Sequence, residues 1–139
     1  MVRIVRMSIT RPSDESINGE ITRLGKILDS HQMRYLTKIT IASMIGDKSK
    51  SKTCLEYYEI SIDYIKSKRR FWSQYRDKSM DKNALDIIQD QMDLWLQKAW
   101  EYFGMEKIEK DSKDAKEEFQ LFKLMYESTP KKTRRKKKK

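Results

Sequence analysis

The run Lys48-Ser49-Lys50-Ser51-Lys52-Thr53 holds the clearest chemistry in this chain. Lysine ammoniums alternate with serine hydroxyls. If the run leads into a helix, free amino-terminal N–H groups join them. Cations, hydroxyls and backbone donors in one short stretch suit a phosphate backbone. A solvated lysine loop has the same composition. A second basic stretch interleaves Lys66, Lys68, Arg69, Arg70, Arg76 and Lys78 with Phe71, Trp72 and Tyr75. Such cations neutralise phosphates, and rings can stack on bases or sugars. The competing reading puts the rings in a core and the cations on its wet side. The third basic group is KKTRRKKKK at 131–139, where Lys131, Lys132, Arg134, Arg135 and Lys136 are candidate phosphate contacts. Eight charges without an apolar residue predict a disordered polycation. Acidic lipid heads, a nuclear-import receptor or mere solubility are its other uses.

Little else in the chain points to catalysis. His31 is the one histidine and Cys54 the one cysteine. They supply neither a nucleophile–histidine relay nor the usual zinc ligands. GxxxxGK, GxGxxG, HExxH, CxxC and GxSxG are all absent. Asp86, Asp90, Asp93 and Glu101 make an acidic helix face, which reads as solvated rather than catalytic. The expectation is a protein that is not an enzyme, with no catalytic residues, no metal and no cofactor. Cys54 reads as a small, half-buried apolar residue rather than a reactive thiolate.

Charge is unevenly spread. The net charge of +10 contains eight cations at 131–139 and Arg3, Arg6 and Arg11. Taking those eleven from +10 leaves −1 for residues 12–130. Within that body, residues 47–82 hold ten basic and six acidic side chains, and residues 83–130 hold six and eleven. The body thus has a basic part and an acidic part, which suggests one side facing a polyanion. A single cysteine permits no internal disulfide, and no stretch approaches the ~20 apolar residues of a membrane span. A cytoplasmic protein is expected, or a nuclear one if the source is a eukaryote or its virus.

Four glycines and two prolines in 139 residues favour long helices. Residues 1–12 read as a flexible basic arm, with an edge strand as the alternative. Ser13, Asp14 and Glu15 then start a helix: a capping hydroxyl followed by acids near the positive end of the dipole. Ile17, Ile21, Leu24 and Leu28 keep helical spacing, with Gly25 a weak point and Asp29 or Ser30 able to end the helix. Thr37–Ile45 makes a second helix. A third opens at Ser51 or Thr53 and repeats Leu55, Tyr58, Ile62 and Ile65. Residues 70–78 are read as its continuation or as a wing. Asp81 or Asn83 caps the most regular helix, Ala84–Phe103, which steps through Leu85, Ile88, Met92, Trp95, Ala99 and Tyr102 and stops at Gly104. Lys113–Tyr126 closes the set, with Ala115, Phe119, Phe122 and Met125 in register.

Leu36-Thr37, Ile41-Ala42, Gly46 and Ser49 to Leu55 together resemble a helix-turn-helix DNA-binding unit, most like the winged-helix type of prokaryotic regulators. The resemblance covers about thirty residues. It departs at Asp47, which stands where an apolar residue is usual, and in a turn longer by two or three residues. It implies duplex DNA as partner, phosphate contacts from Lys48, Ser49, Lys50, Ser51, Lys52 and Thr53, and groove contacts from Glu56, Tyr57 and Lys66. Lys68, Arg69 and Arg70 extend the basic surface.

The sequence-based expectation is an all-α protein of about five helices. Residues 13–127 form a single helical domain, with a helix-turn-helix-like part at 13–76 and a long helical hairpin at 83–127. Residues 128–139 form a disordered polybasic tail. The expected function is sequence-specific or nonspecific DNA binding, as a small transcriptional regulator, with RNA as an alternative nucleic-acid partner. A different class of function is a helical adaptor or scaffold that binds another protein through residues 84–126. A homodimer through the same helices is a further expectation.

Overall fold

The computed structural model describes residues 11–45 and 48–128, apart from the side chains of Ala42, Ile45, Lys48, Ser49, Lys50, Ser51 and Lys107. Four helices make up the described residues: α1 (Asp14–Ile45), α2 (Lys48–Asp77), α3 (Ala84–Phe103) and α4 (Met105–Glu127). No strand occurs among them. Of the expected 128–139 tail only Ser128 is described, and it is ordered, its N–H bonded to the Leu124 carbonyl at the end of α4. Residues 129–139, all of the expected arm before Arg11, and Gly46 and Asp47 lie outside the described residues.

α1 is one helix of 32 residues where the sequence suggested two. Its inward stripe explains the difference. Ile17, Leu24 and Leu28 are buried, and His31 and Tyr35 carry the same face onward at three- and four-residue steps. Asp29 and Ser30 fall on the exposed side, where water solvates their side chains and the backbone keeps its helical bonds. Further on, Thr37, Thr40 and Ser43 donate their hydroxyls to the carbonyls of Met33, Leu36 and Ile39, four residues back. At the start, the Ser13 hydroxyl accepts the Ser16 N–H at 3.1 Å, which is an N-cap bond. Arg11, expected in the arm, lies on the bundle: its guanidinium sits 5.3 Å from the Tyr75 ring centre and donates to the Arg76 carbonyl.

α2 is the central helix. α1 runs antiparallel along it, with Tyr35 bonded to Glu59 near one end and Asn18 to Arg76 near the other. α3 runs antiparallel on another face, from Asp81 beside Arg70 to Lys98 on Glu56. α4 folds back on α3 after Gly104, and the Tyr126 hydroxyl donates to the Lys82 carbonyl at 3.3 Å. All four helices feed one core. Leu24 and Leu28 of α1 meet Ile65, Phe71 and Trp72 of α2, Ile88 and Met92 of α3, and Phe122 and Met125 of α4. Residues 70–77 continue the helix, so the wing reading of 70–78 does not hold. Met105–Ser112, expected as an extension or a linker, is the first part of α4. α2 itself begins at Lys48, before the expected Ser51 or Thr53, because lysine is a good helix former and nothing in the run breaks a helix.

Two ends need the left-handed region. Gly104, at φ +99°, lets α3 and α4 follow each other with a single residue between them. Lys78, at φ +57°, ends α2. Its N–H reaches the Tyr75 carbonyl, and the Ser79 N–H reaches that of Gln74 at 2.9 Å, which is the Schellman pattern. A lysine there is strained where glycine would not be. Lys78→Gly is expected to raise stability by about 0.5–1 kcal/mol in urea unfolding. An unchanged or lower midpoint would refute the strain.

Candidate nucleic-acid interface

α2 carries nearly every body residue that the sequence nominated, so its packing decides which of them are open. The face made by Cys54, Tyr57 and Tyr58 is covered by α3 through Ala99. Tyr57 is only 8% exposed and sits among rings: 5.2 Å from Tyr58, 5.4 Å from Tyr102 and 5.1 Å from Phe103, centre to centre. As a groove-contact candidate it is corrected to a core residue, because α3 docks on the side where it points. Glu56, another groove candidate, is held by the Lys98 ammonium at 2.9 Å, and that hydrogen bond lowers its carboxyl pKa. Cys54 is buried in the same cluster. The hydrogen bond between Tyr102 and Cys54, with burial behind it, pushes the tyrosine up to about 12.

The basic residues divide into free and engaged. The side chains of Lys48, Ser49, Lys50 and Ser51 lie outside the described set, though their backbone forms the first turn of α2. Lys52 is exposed and Thr53 half-buried. Lys66 is exposed with no ion pair among the described residues. Lys68 is turned inward: its ammonium lies 3.0 Å from Glu118 and 4.6 Å from the Tyr64 ring centre. That commitment to α4 takes it off any open surface. Arg69 lies across α1, donating Nε–H to the Ile21 carbonyl at 3.2 Å while the residue stays exposed. Arg70 is exposed, with Asp81 at 3.9 Å. Lys131, Lys132, Arg134, Arg135 and Lys136 lie outside the described residues.

Lys66, Arg69 and Arg70 therefore share one turn of the outer side of α2, at three- and four-residue spacing. Lys52 stands on the same helix about 21 Å away at ~1.5 Å per residue. Exposed Glu59 and Asp63 lie between them. The rings of the basic-aromatic stretch do not join this surface. Phe71, Trp72 and Tyr75 are all buried, with Phe71 4.7 Å from Phe122. The core reading of those rings is the observed one.

Sequence reasoning treated Gly25 as a weak point and missed its use. A Cβ there would come within 3.2 Å of the Arg69 guanidinium, so the glycine makes room for the arginine to cross α1. Nothing local marks that role, since the partner is 44 residues away in sequence.

One end of the bundle also exposes apolar side chains. α1 finishes there with Ile41 and Met44, and the α3–α4 corner adds Trp100, Phe103 and Met105. Met44 is 79% exposed and Trp100 50%. Among the described residues, no helix is long and apolar enough to cross a membrane. The chain matches no family model, no curated protein and no solved structure.

Proposed function

We propose that this protein binds duplex DNA through the phosphate backbone, without catalysing a reaction, and that it serves as a small regulator or DNA-organising factor. The carrying observation is the separation of charge: a body, residues 11–130, of net zero between ends that hold ten cations. A polycation of that density gains affinity by releasing counterions from the duplex, whatever its sequence. Lys52, Lys66, Arg69 and Arg70 on the outer side of α2 would extend the contact along the bundle. Tyr57 is buried inside it and Glu56 is paired with Lys98, which favours phosphate contact over base readout. The helix-turn-helix likeness is part of this proposal, with the first turn of α2 set against a phosphate.

Fluorescence anisotropy with a labelled duplex over a salt series tests the reading. Binding at low salt that weakens steeply with salt is expected, and Lys66→Ala with Arg70→Ala should weaken it uniformly across duplex sequences. No binding at low salt rejects the proposal. Tighter binding to RNA of equal length would move it to the RNA class.

A second reading rests on a different observation. Trp100, Phe103 and Met105 are exposed at the α3–α4 corner, within the 84–126 region expected of an adaptor. Exposed aromatic and methionine side chains close together suit a protein partner, a second copy included. Co-purification that survives nuclease but fails for Trp100→Ser would favour it.

A further inference from the structure

All four helices contribute to the wall of one cavity of about 290 Å³. Tyr64 of α2 and Trp95 of α3 stack on one side of it, with ring centres 5.3 Å apart and planes inclined by 29°. Ile27 of α1, Ile65 of α2 and Ala115 of α4 add aliphatic surface. Most of the neutral polar groups in the wall are already engaged. The Ser61 hydroxyl donates to the Tyr57 carbonyl at 2.7 Å, and His31 Nδ1 lies 3.1 Å from the Ile27 carbonyl.

Tyr64 is the exception. It is only 4% exposed, and its hydroxyl makes no hydrogen bond among the described residues. Trp72 Nε1 is the fully enclosed side-chain group without a partner among them; the Tyr64 hydroxyl is not enclosed and meets open space. The space that Tyr64 borders is the cavity. Burial, and then the charge of Glu118, raise the pKa of the hydroxyl, so it stays a neutral O–H. A buried donor without an acceptor is costly unless something in the adjoining space satisfies it.

The charged groups of the lining are compensated from close by. Glu118 lies 3.0 Å from the Lys68 ammonium and also acts on the Arg23 guanidinium of α1. Lys110 holds Asp114 at 2.8 Å and feels the charge of Asp111 as well. Burial lowers the pKa of His31, so the imidazole adds no charge at neutral pH. A charged ligand would lose its hydration here and meet no unspent opposite charge. A neutral one loses far less. At the ~30 Å³ that a water takes up in the liquid, the space holds on the order of ten non-hydrogen atoms, the size of a fused-ring heterocycle. A flat aromatic frame suits ring surface on one side and aliphatic surface on the other.

We propose that this cavity binds a small, neutral, fused-ring aromatic heterocycle, with the Tyr64 hydroxyl donating to an acceptor atom of the ligand. The rings lie against Tyr64 and Trp95 and are closed in by Ile27, Ile65 and Ala115. This site does not depend on the DNA-binding surface, and its test contains no nucleic acid.

The probe is quinoline, whose ring nitrogen accepts a hydrogen bond, at a pH where that nitrogen is unprotonated. The isotope-labelled full chain is titrated with it, and the indole N–H resonances of the tryptophans are followed. A saturable shift at Trp95 is expected. Tyr64→Phe, which keeps the ring and removes the hydroxyl, should weaken binding about three- to tenfold. Naphthalene, of the same shape without the acceptor, should bind the unaltered chain more weakly by a similar factor, and the Tyr64→Phe chain as well as quinoline does. Ala115→Leu, which fills the space, should abolish binding, with circular dichroism to confirm its fold. N-methylquinolinium, the same frame with a fixed charge, should bind more weakly than quinoline. Absent saturable binding, or a shift at the exposed Trp100 with none at Trp95, overturns the proposal. So do equal affinity for naphthalene, tighter binding of the quinolinium, or affinity unchanged by Tyr64→Phe, which decides the matter if Ala115→Leu does not fold.

Discussion

Phe122→Ala is expected to destabilise the protein by about 3–5 kcal/mol, the largest effect of any single truncation. Phe122 is 0% exposed in the carboxyl-terminal part of α4. Its ring centre lies 4.7 Å from Phe71 and 6.2 Å from Trp72. These contacts, with the Lys68–Glu118 pair and the Tyr126–Lys82 bond, fasten α4 to the rest of the bundle. Truncation removes the ring and leaves a cavity between two rigid aromatic neighbours, where collapse is difficult. Against a total stability of about 5–15 kcal/mol, this loss approaches unfolding at ambient temperature. Urea unfolding followed at 222 nm measures it, with Lys116→Ala at an exposed site as the control. A loss below about 1 kcal/mol would show that α4 is not fastened by this cluster.

Removing residues 131–139 is the second large effect, on binding rather than stability. Each cation that neutralises a phosphate contributes about 0.9 to the slope of log affinity against log salt, so eight contribute up to about 7. The shortened chain should therefore show a much shallower slope and an affinity for duplex DNA lower by a factor of about 10² or more at low salt. Its unfolding midpoint should be unchanged, because the core draws on residues 17–125. Residual binding that is lost on adding Lys66→Ala and Arg70→Ala would assign the remainder to the outer side of α2. Binding abolished by the truncation alone would leave that surface without a role. An unchanged salt slope would exclude the tail as a phosphate tether.

Helix identity and charge segregation were legible in the sequence because both are local or additive. Ile17, Leu24 and Leu28, or Ile88 and Met92, declare a helical face by spacing alone, since one face of a helix recurs every 3.6 residues. Gly104 marked the α3 stop because few other residues adopt its backbone conformation. The near-neutral body between cationic ends needs only counting. By contrast, Asp29 and Ser30 looked like a helix end because their side chains can compete for backbone bonds. What overrode them was the continuing stripe of His31 and Tyr35, which gains its packing energy from α2.

Spacing shows that a residue lies on a face but not which helix covers that face. The tertiary structure alone decided that α3 buries Tyr57, that α4 draws Lys68 away from solvent, and that Gly25 admits Arg69. It also brought Tyr64, Trp95, His31 and the α4 carboxylates around one space, from segments up to 87 residues apart in sequence. Those contacts arise from docking between distant helices, and their energy depends on which surfaces meet rather than on any residue's own neighbours in the chain.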